Sequence, residues 1–356
     1  MGLSMRDGIR LAAREINAAG GVLGRQIELI ERDDEARPQR GAQVVQELIN
    51  RERIHAGLGV VNTGVGLACQ RYYQEARIPM ITSVATGSIL TQQFRPPEHY
   101  DHYIFRVSAN DTLQAEMIAA EAVDRQRFRR VAIFHDTTNY GQFGRDDLEQ
   151  ALSKRGVKPV VIEKFNVDDK DMSAQLRRAR AAGAQAILTY GIGPELAQIA
   201  NGRAKMGWDV PMIGSWPLAM SNFIYNAGPN GEGARMPQTF IEDSPHPRHR
   251  AFLTNMRKLT GLPRLLSPTA AAQGYDSMLL LAAAIRQAGS TSGPAIRESL
   301  ESLNTRVEGV VQIYDRPFSR INHEAIRTLS IPVMGEVRGG RVTYAYEEQR
   351  AQAGKR

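Results

Sequence analysis

The chain is poor in the residues that build covalent or metal-bound scaffolds. Only one of its 356 residues is cysteine, Cys69. No internal disulfide can form, and no cysteine-based zinc spacing exists. Apolar neighbours near the start of a helix predict a buried, inert thiol for Cys69. Long apolar runs are missing too. The best candidate, 278–285, is too short to span a bilayer. The opening residues Met1-Gly2-Leu3-Ser4-Met5 lack the basic and apolar regions of an export signal, so the chain as given carries no export information. There is no dense basic block, although the formal net charge is +7 and the pI about 9.6. Lys and Arg are spread along the chain. That excludes a nucleic-acid footprint and leaves a mild attraction for anions.

The motifs of common chemistries are also missing. There is no phosphate-binding G-x-x-x-x-G-K-[ST] loop, G-x-S-x-G elbow or H-E-x-x-H pair. Gly64-Val65-Gly66 and Gly191-Ile192-Gly193 both fail the dinucleotide pattern at its last glycine. His246/His249 and His99/His102 have spacings that suit a metal but no third ligand, so no metal site is assigned. His135-Asp136 ends a strand without a nucleophile, which favours a structural hydrogen-bonding role. Asp33-Asp34-Glu35 sits beside Arg32 and Arg37 and reads as a solvated turn. Nothing in this inventory supports an enzyme or a cofactor.

The composition is otherwise that of an ordinary globular protein, 23% charged and 42% hydrophobic. The length points to two domains. Helical spacing marks 3–19, 39–50, 112–124, 140–155, 173–182, 194–206, 247–260, 269–288 and 294–302. Strands are expected at 26–32, 57–61, 78–83, 103–107, 130–135, 158–162, 186–189 and 210–214, with a Pro- and His-rich loop at 94–102. The tail 307–346 reads as mainly strand. Strands alternating with helices of this length predict α/β architecture, with parallel sheets covered on both faces.

The stretch 57–70 anchors the functional reading. A short apolar strand runs into Asn62-Thr63-Gly64 and then a helix. Backbone N–H groups at such a helix start favour an anion. The stretch has an echo. Ile78-Pro79-Met80-Ile81-Thr82-Ser83 resembles Val210-Pro211-Met212-Ile213-Gly214-Ser215, with Gly66-Leu67-Ala68 and Glu195-Leu196-Ala197 upstream. Two lobes of one topology would place their strand ends around a cleft built from Asn62, Thr63, Gly64, Ala85, Thr86, Gly191, Ile192 and Trp216.

Glu15-Ile16-Asn17-Ala18-Ala19-Gly20-Gly21-Val22-Leu23-Gly24, the turn from Arg32 to Pro38, and the order of segments through His135-Asp136, Tyr140-Gly141 and Gln273-Gly274-Tyr275-Asp276 resemble branched-chain amino-acid-type periplasmic binding proteins. The resemblance covers nearly the whole chain. It implies two similar doubly wound parallel-sheet lobes joined by three crossover segments, here 1–109 with 239–314 and 110–238 with 315–356. It implies a receptor that closes around a small carboxylate-bearing ligand and delivers it to the permease and ATPase subunits of an ABC transporter. By that resemblance the protein is a monomeric, periplasmic solute receptor that inserts into no membrane and binds no nucleic acid. Thr63, Ala85 and Thr86 match the family's carboxylate-binding positions, and Tyr140 and Tyr275 join the expected ligand-binding set. A ligand sensor without transport is the alternative on the same fold.

Two departures qualify the match. Members that bind α-amino acids place an acidic residue where this chain has Gly214-Ser215-Trp216-Pro217. A buried ammonium without a carboxylate partner is costly, so an acid with an apolar or aromatic body is expected against Trp216. Asp276 is the other candidate partner for an ammonium. The family also has a strand before the first helix, and that strand is expected to be missing here.

Overall fold

In the computed structural model, residues 1–94, 97 and 99–353 are described. Arg95, Pro96 and Glu98 of the expected loop at 94–102 lie outside the described residues. The chain separates into two compact units. Unit 1 comprises Met1–Ser108 and His246–Arg327, and unit 2 comprises Ala109–Pro245 and the segment that begins at Thr328.

Unit 1 opens with α1 (Gly2–Ala18), which buries Ile9, Ala12, Ala13 and Ile16 at the spacing of one helix face. It stops where Gly20 and Gly21 take positive φ, and the Gly21 N–H returns to the Ile16 carbonyl at 2.9 Å. Then come α2 (Pro38–Asn50), β1 (Gly57–Gly59), α3 (Thr63–Ala76), β2 (Met80–Thr82) and β3 (Ile104–Arg106). The three strands form a parallel sheet in the order β1-β2-β3.

Unit 2 contains α4 (Asp111–Ala119), β4 (Val131–Asp136), α5 (Asn139–Ser153), β5 (Val161–Phe165), α6 (Ser173–Ala181), β6 (Ala186–Tyr190), α7 (Glu195–Lys205), β7 (Met212–Gly214), α8 (Ser221–Ala227) and β8 (Arg235–Gln238). The chain returns to unit 1 with α9 (Pro247–Thr260), α10 (Pro268–Ala288), α11 (Gly293–Glu301) and the hairpin β9 (Val307–Glu308) and β10 (Ile313–Tyr314). It ends in unit 2 with β11 (Val333–Arg338), β12 (Arg341–Tyr344) and α12 (Glu347–Ala353). The sheet of unit 2 has the order β12-β11-β8-β7-β6-β4-β5. It is parallel from β8 to β5, and β11 runs antiparallel to both β8 and β12.

Every residue of β4 is buried because both faces are covered. Ala132 and Phe134 pack with Leu176, Leu196 and Phe223. Val131 and Ile133 point the other way, into Ile118, Leu148 and Leu152. Unit 1 repeats this scheme. Ile81 and Phe105 pack with Leu280, Ile296 and Leu300, while Met80 and Ile104 pack with Val45, Val65, Cys69 and Tyr73. Helices α1 and α10 approach closely through small residues. A Cβ at Gly8 would lie 2.0 Å from the Ala271 carbonyl oxygen, and one at Gly274 would lie 2.4 Å from that of Met5.

The echo in the sequence is an echo of hydrogen bonding. In unit 1 the Gly57 N–H reaches the Pro79 carbonyl at 2.9 Å and the Ser83 N–H reaches Gly59 at 2.7 Å. In unit 2 the Ile187 N–H reaches the Pro211 carbonyl at 2.9 Å and the Ser215 N–H reaches Thr189 at 3.1 Å. Each Pro-Met-Ile strand therefore sits at the same register against its neighbour.

Several expectations need correcting. Residues 26–32 alternate but are not a strand. The Asn17 side chain satisfies both the Ile27 N–H and its carbonyl, at 2.7 and 2.9 Å, and no described strand lies beside the segment to form a ladder. The strand expected at 158–162 begins later, at Val161, because Pro159 has no N–H to donate. The tail 307–346 contains only short strands. Finally, 315–327 packs within unit 1: Phe318 meets the Phe105 ring edge-on at 5.0 Å, and Glu324 pairs with buried Arg106. The second crossover likewise falls at His246 and not at 239.

Candidate functional site

In unit 1 the strand–turn–helix from β1 to α3 leaves helix-start N–H groups without a side-chain cap. Asn62 occupies the cap position, extended and half-buried, and its side chain makes no cap bond. Its carbonyl accepts the Gly66 N–H at 3.0 Å, so the N–H groups of Thr63 and Gly64 precede the first intrahelical bond. Thr63 is buried, and its Oγ1 accepts the Gly87 N–H at 3.2 Å. The hydroxyl keeps its own proton to donate. The loop after β2 supplies the other donors. Thr86 is buried, and among the described residues neither its N–H nor its hydroxyl has a hydrogen-bond partner. Ala85 differs from expectation. Its N–H is already bonded to the Val60 carbonyl at 2.9 Å, so it contributes wall and no donor.

Residues the sequence reading did not select hold this loop. The Gly87 carbonyl accepts Arg106 Nη1 at 2.6 Å, and Ser108 Oγ donates to the Ala85 carbonyl at 3.0 Å. Arg106 is fully buried at the end of β3 and pairs with Glu324 through Nε at 2.9 Å and through Nη2. Gly87 must lack a side chain, since a Cβ there would fall 2.3 Å from Thr63 Cγ2. One signal was available: Arg106 interrupts an otherwise apolar strand, and a buried cation needs a partner.

In unit 2, Tyr140, Gly191, Ile192 and Trp216 lie beyond the strand ends. The Tyr140 hydroxyl donates to Ser215 Oγ at 2.7 Å, and its ring is 5.5 Å from that of Tyr190. Gly191 has no room for a Cβ, which would meet Phe165 at 2.6 Å. The Ile192 N–H donates to Asp136 Oδ2 at 3.0 Å, and Thr138 bonds Oδ1. Burial pushes the Asp136 carboxyl above its usual range, and burial lowers His135. His135 Nδ1 bonds the Asp136 carbonyl at 2.8 Å, so this pair ties the strand end together. Trp216 is only 6% exposed; its N–H reaches Gln114 Oε1 at 3.1 Å. No acidic residue follows β7.

Two candidates are committed elsewhere. The Tyr275 hydroxyl donates to Glu15 at 2.5 Å, and the ring meets Phe252 edge-on at 5.2 Å. Tyr275 thus serves helix packing within unit 1. Asp276 is fully buried and accepts the N–H groups of Val310 and Val311, at 2.7 and 2.8 Å, and the Tyr314 hydroxyl at 2.9 Å. It anchors the turn before β10 and offers no partner to an ammonium. The histidine pairs are likewise structural in placement. His246 accepts the Arg248 N–H at the start of α9, and His102 stacks on His323 at 4.3 Å. Among the described residues no group of three His, Cys, Asp or Glu side chains is placed to hold a metal ion. Cys69 is buried, and desolvation pushes its thiol up to about 12.

A relative from Pseudomonas aeruginosa, the leucine-, isoleucine-, valine-, threonine-, and alanine-binding protein, is 25% identical over 299 residues, covering 83% of this chain and 77% of its own. A type 1 periplasmic binding protein from Bordetella pertussis superposes with a TM-score of 0.85 at 25% identity, covering 96% of this chain and 94% of that one. An ABC transporter solute-binding protein from R. palustris, solved with benzoate, superposes with a TM-score of 0.80 at 18% identity, covering 97% and 91%. The last likeness concerns fold alone. These relatives are solute-binding proteins and not enzymes. The sequence profile described as "Periplasmic binding protein" matches residues 1–334, and the chain belongs to that family.

Proposed function

We propose that this protein captures a small carboxylate-bearing solute, amino acid-like or an aromatic or apolar acid, and delivers it outside the cytoplasm to the permease and ATPase subunits of an ABC-type importer. The carrying observation is the donor set of unit 1. The Thr63 hydroxyl proton and the N–H and hydroxyl of Thr86 stand free beside the start of α3, a combination that suits an anion. Asn62 and Gly64 shape that turn. In unit 2, Tyr140, Gly191, Ile192 and Trp216 form that unit's own candidate binding surface, with Trp216 an apolar wall. Tyr275 and Ala85 act through packing.

The preference for a ligand without an ammonium rests on Asp136, Asp276 and the segment after β7. Asp136 and Asp276 spend their oxygens on protein donors, and no acid follows β7. An ammonium taken out of water would find no partner in Asp136, in Asp276 or after β7. The Pseudomonas relative is named for aliphatic amino acids and the R. palustris neighbour holds benzoate, so both classes belong in the test. A thermal-shift screen against leucine, valine, benzoate and other aromatic acids is expected to show stabilisation by non-amino carboxylates. Stabilisation by leucine or valine alone would overturn the ligand class.

A further inference from the structure

Arg106 stands at a junction. The chain leaves unit 1 after Ser108 and again after Arg327. Arg106 lies two residues before the first exit, and Glu324 three residues before the second. Their backbones form a parallel bridge: the Arg106 N–H reaches the His323 carbonyl at 2.9 Å, and the Ala325 N–H reaches the Arg106 carbonyl at 2.8 Å. Their side chains form the buried ion pair, with Thr91 bonded to both. The Arg106 guanidinium also reaches into the donor loop, at the Gly87 carbonyl. Ser108 makes a second tie, to Ala85.

A continuous chain of donors results. The Thr63 hydroxyl accepts from Gly87 N–H, the Gly87 carbonyl accepts from Arg106, and Arg106 donates to Glu324. A carboxylate that accepts the Thr63 proton polarises the hydroxyl oxygen and strengthens its hold on Gly87. Both ends of the Gly87 residue are then fixed, and so is the guanidinium. We infer that Arg106 and Glu324 are a positioning pair that couples occupancy of the Thr63 and Thr86 donors to the two exit segments of unit 1. Neither residue touches the ligand. The inference rests on the carboxylate reading of this donor set and adds a mechanism by which binding is felt at the crossovers.

Hydrogen exchange resolved by mass spectrometry tests it on the full chain. The probe is whichever of benzoate and L-leucine raises the melting temperature of the wild-type protein. Amides in 104–110 and 322–329 are expected to exchange at least about 5-fold more slowly at saturating probe, the low end of ordinary site–site coupling. Glu324→Gln keeps the shape and removes the charge. It is expected to lose most of that ligand-dependent slowing while still binding at higher probe concentration. Ser108→Ala, a milder change, is expected to lose part of it, and it carries the test alone where Glu324→Gln does not fold. Exit amides indifferent to saturating probe, or full slowing in both variants, overturn the coupling. Thr63→Ala separates the two readings. If it binds the probe as wild type does, or if neither probe binds the wild type, the carboxylate site fails and this inference falls with it. Weakened binding in Thr63→Ala with unmoved exit amides overturns the coupling alone.

Discussion

At the residue scale, the donor set makes graded predictions. A charge-assisted hydrogen bond contributes about 1.5–3 kcal/mol, so Thr63→Ala is expected to weaken carboxylate binding roughly 10- to 100-fold by calorimetry. Thr63→Ser keeps the hydroxyl and is expected to stay near wild type. Trp216 needs a gentler probe than alanine. At 6% exposure its truncation would cost about 3–5 kcal/mol of stability and blur the result. Trp216→Phe is expected to keep the fold and shift the preference among aromatic acids. Asp276 predicts a pH effect. Burial raises its carboxyl from 3.8 to about 7 despite three donors. The folded chain therefore holds this proton when the unfolded chain has released it. Stability from this group is full below about pH 4, declines as pH rises towards 7, and is level above that. Asp276→Asn removes the titration, so the melting-temperature difference between wild type and variant is expected to shrink across that window and not beyond it. The turn around Thr63 was legible because its chemistry is local: a strand, a small polar turn and a helix start follow one another in the chain. Tyr275 was not, because its partners Glu15 and Phe252 come from distant segments.

At the element scale, periodicity carried the helices well. The span 247–260 coincides with α9, and α1, α2, α6, α7, α10 and α11 differ from expectation by a residue or so. Strands fared worse, since a strand is defined by its neighbour. Residues 26–32 show the alternation of a strand, yet their hydrogen bonds go to Asn17. The strand at 161–165 slid past Pro159 for the same reason, ladder bonding. What periodicity could not show is the close approach of α1 and α10. Gly8 faces the backbone of Ala271 and Gly274 that of Met5, and backbone cannot rotate aside. Gly8→Ala and Gly274→Ala are therefore each expected to destabilise unit 1 by about 1–3 kcal/mol, read from chemical denaturation. Arg14→Ala, at an exposed position on the same helix, is expected to stay within about 0.5 kcal/mol of wild type.

At the scale of the whole molecule, the repeat was the informative signal. Two Pro-Met-Ile strands, at 79–81 and 211–213, predicted two units of like topology, and the matching hydrogen bonds at Gly57 and Ile187 give the physical reason. The unit boundaries were harder to read, because 315–327 looks like the start of the second unit until Glu324 meets Arg106. Charge is the other property of the whole chain. A net charge of +7 draws carboxylates in by long-range attraction that salt screens over about 10 Å at 0.1 M. The association rate of an anionic solute, followed by stopped-flow fluorescence, is expected to fall as salt rises, with the dissociation rate little changed. The single cysteine has a practical use at this scale. Cys69 is buried among Val45, Val65 and Tyr73, with its thiolate suppressed. A maleimide dye should leave the native protein unlabelled at neutral pH and react only after unfolding. Any cysteine introduced on the surface would then be the one attachment point, so a dye placed beside the solute site could turn the native chain into an optical sensor without first removing a residue.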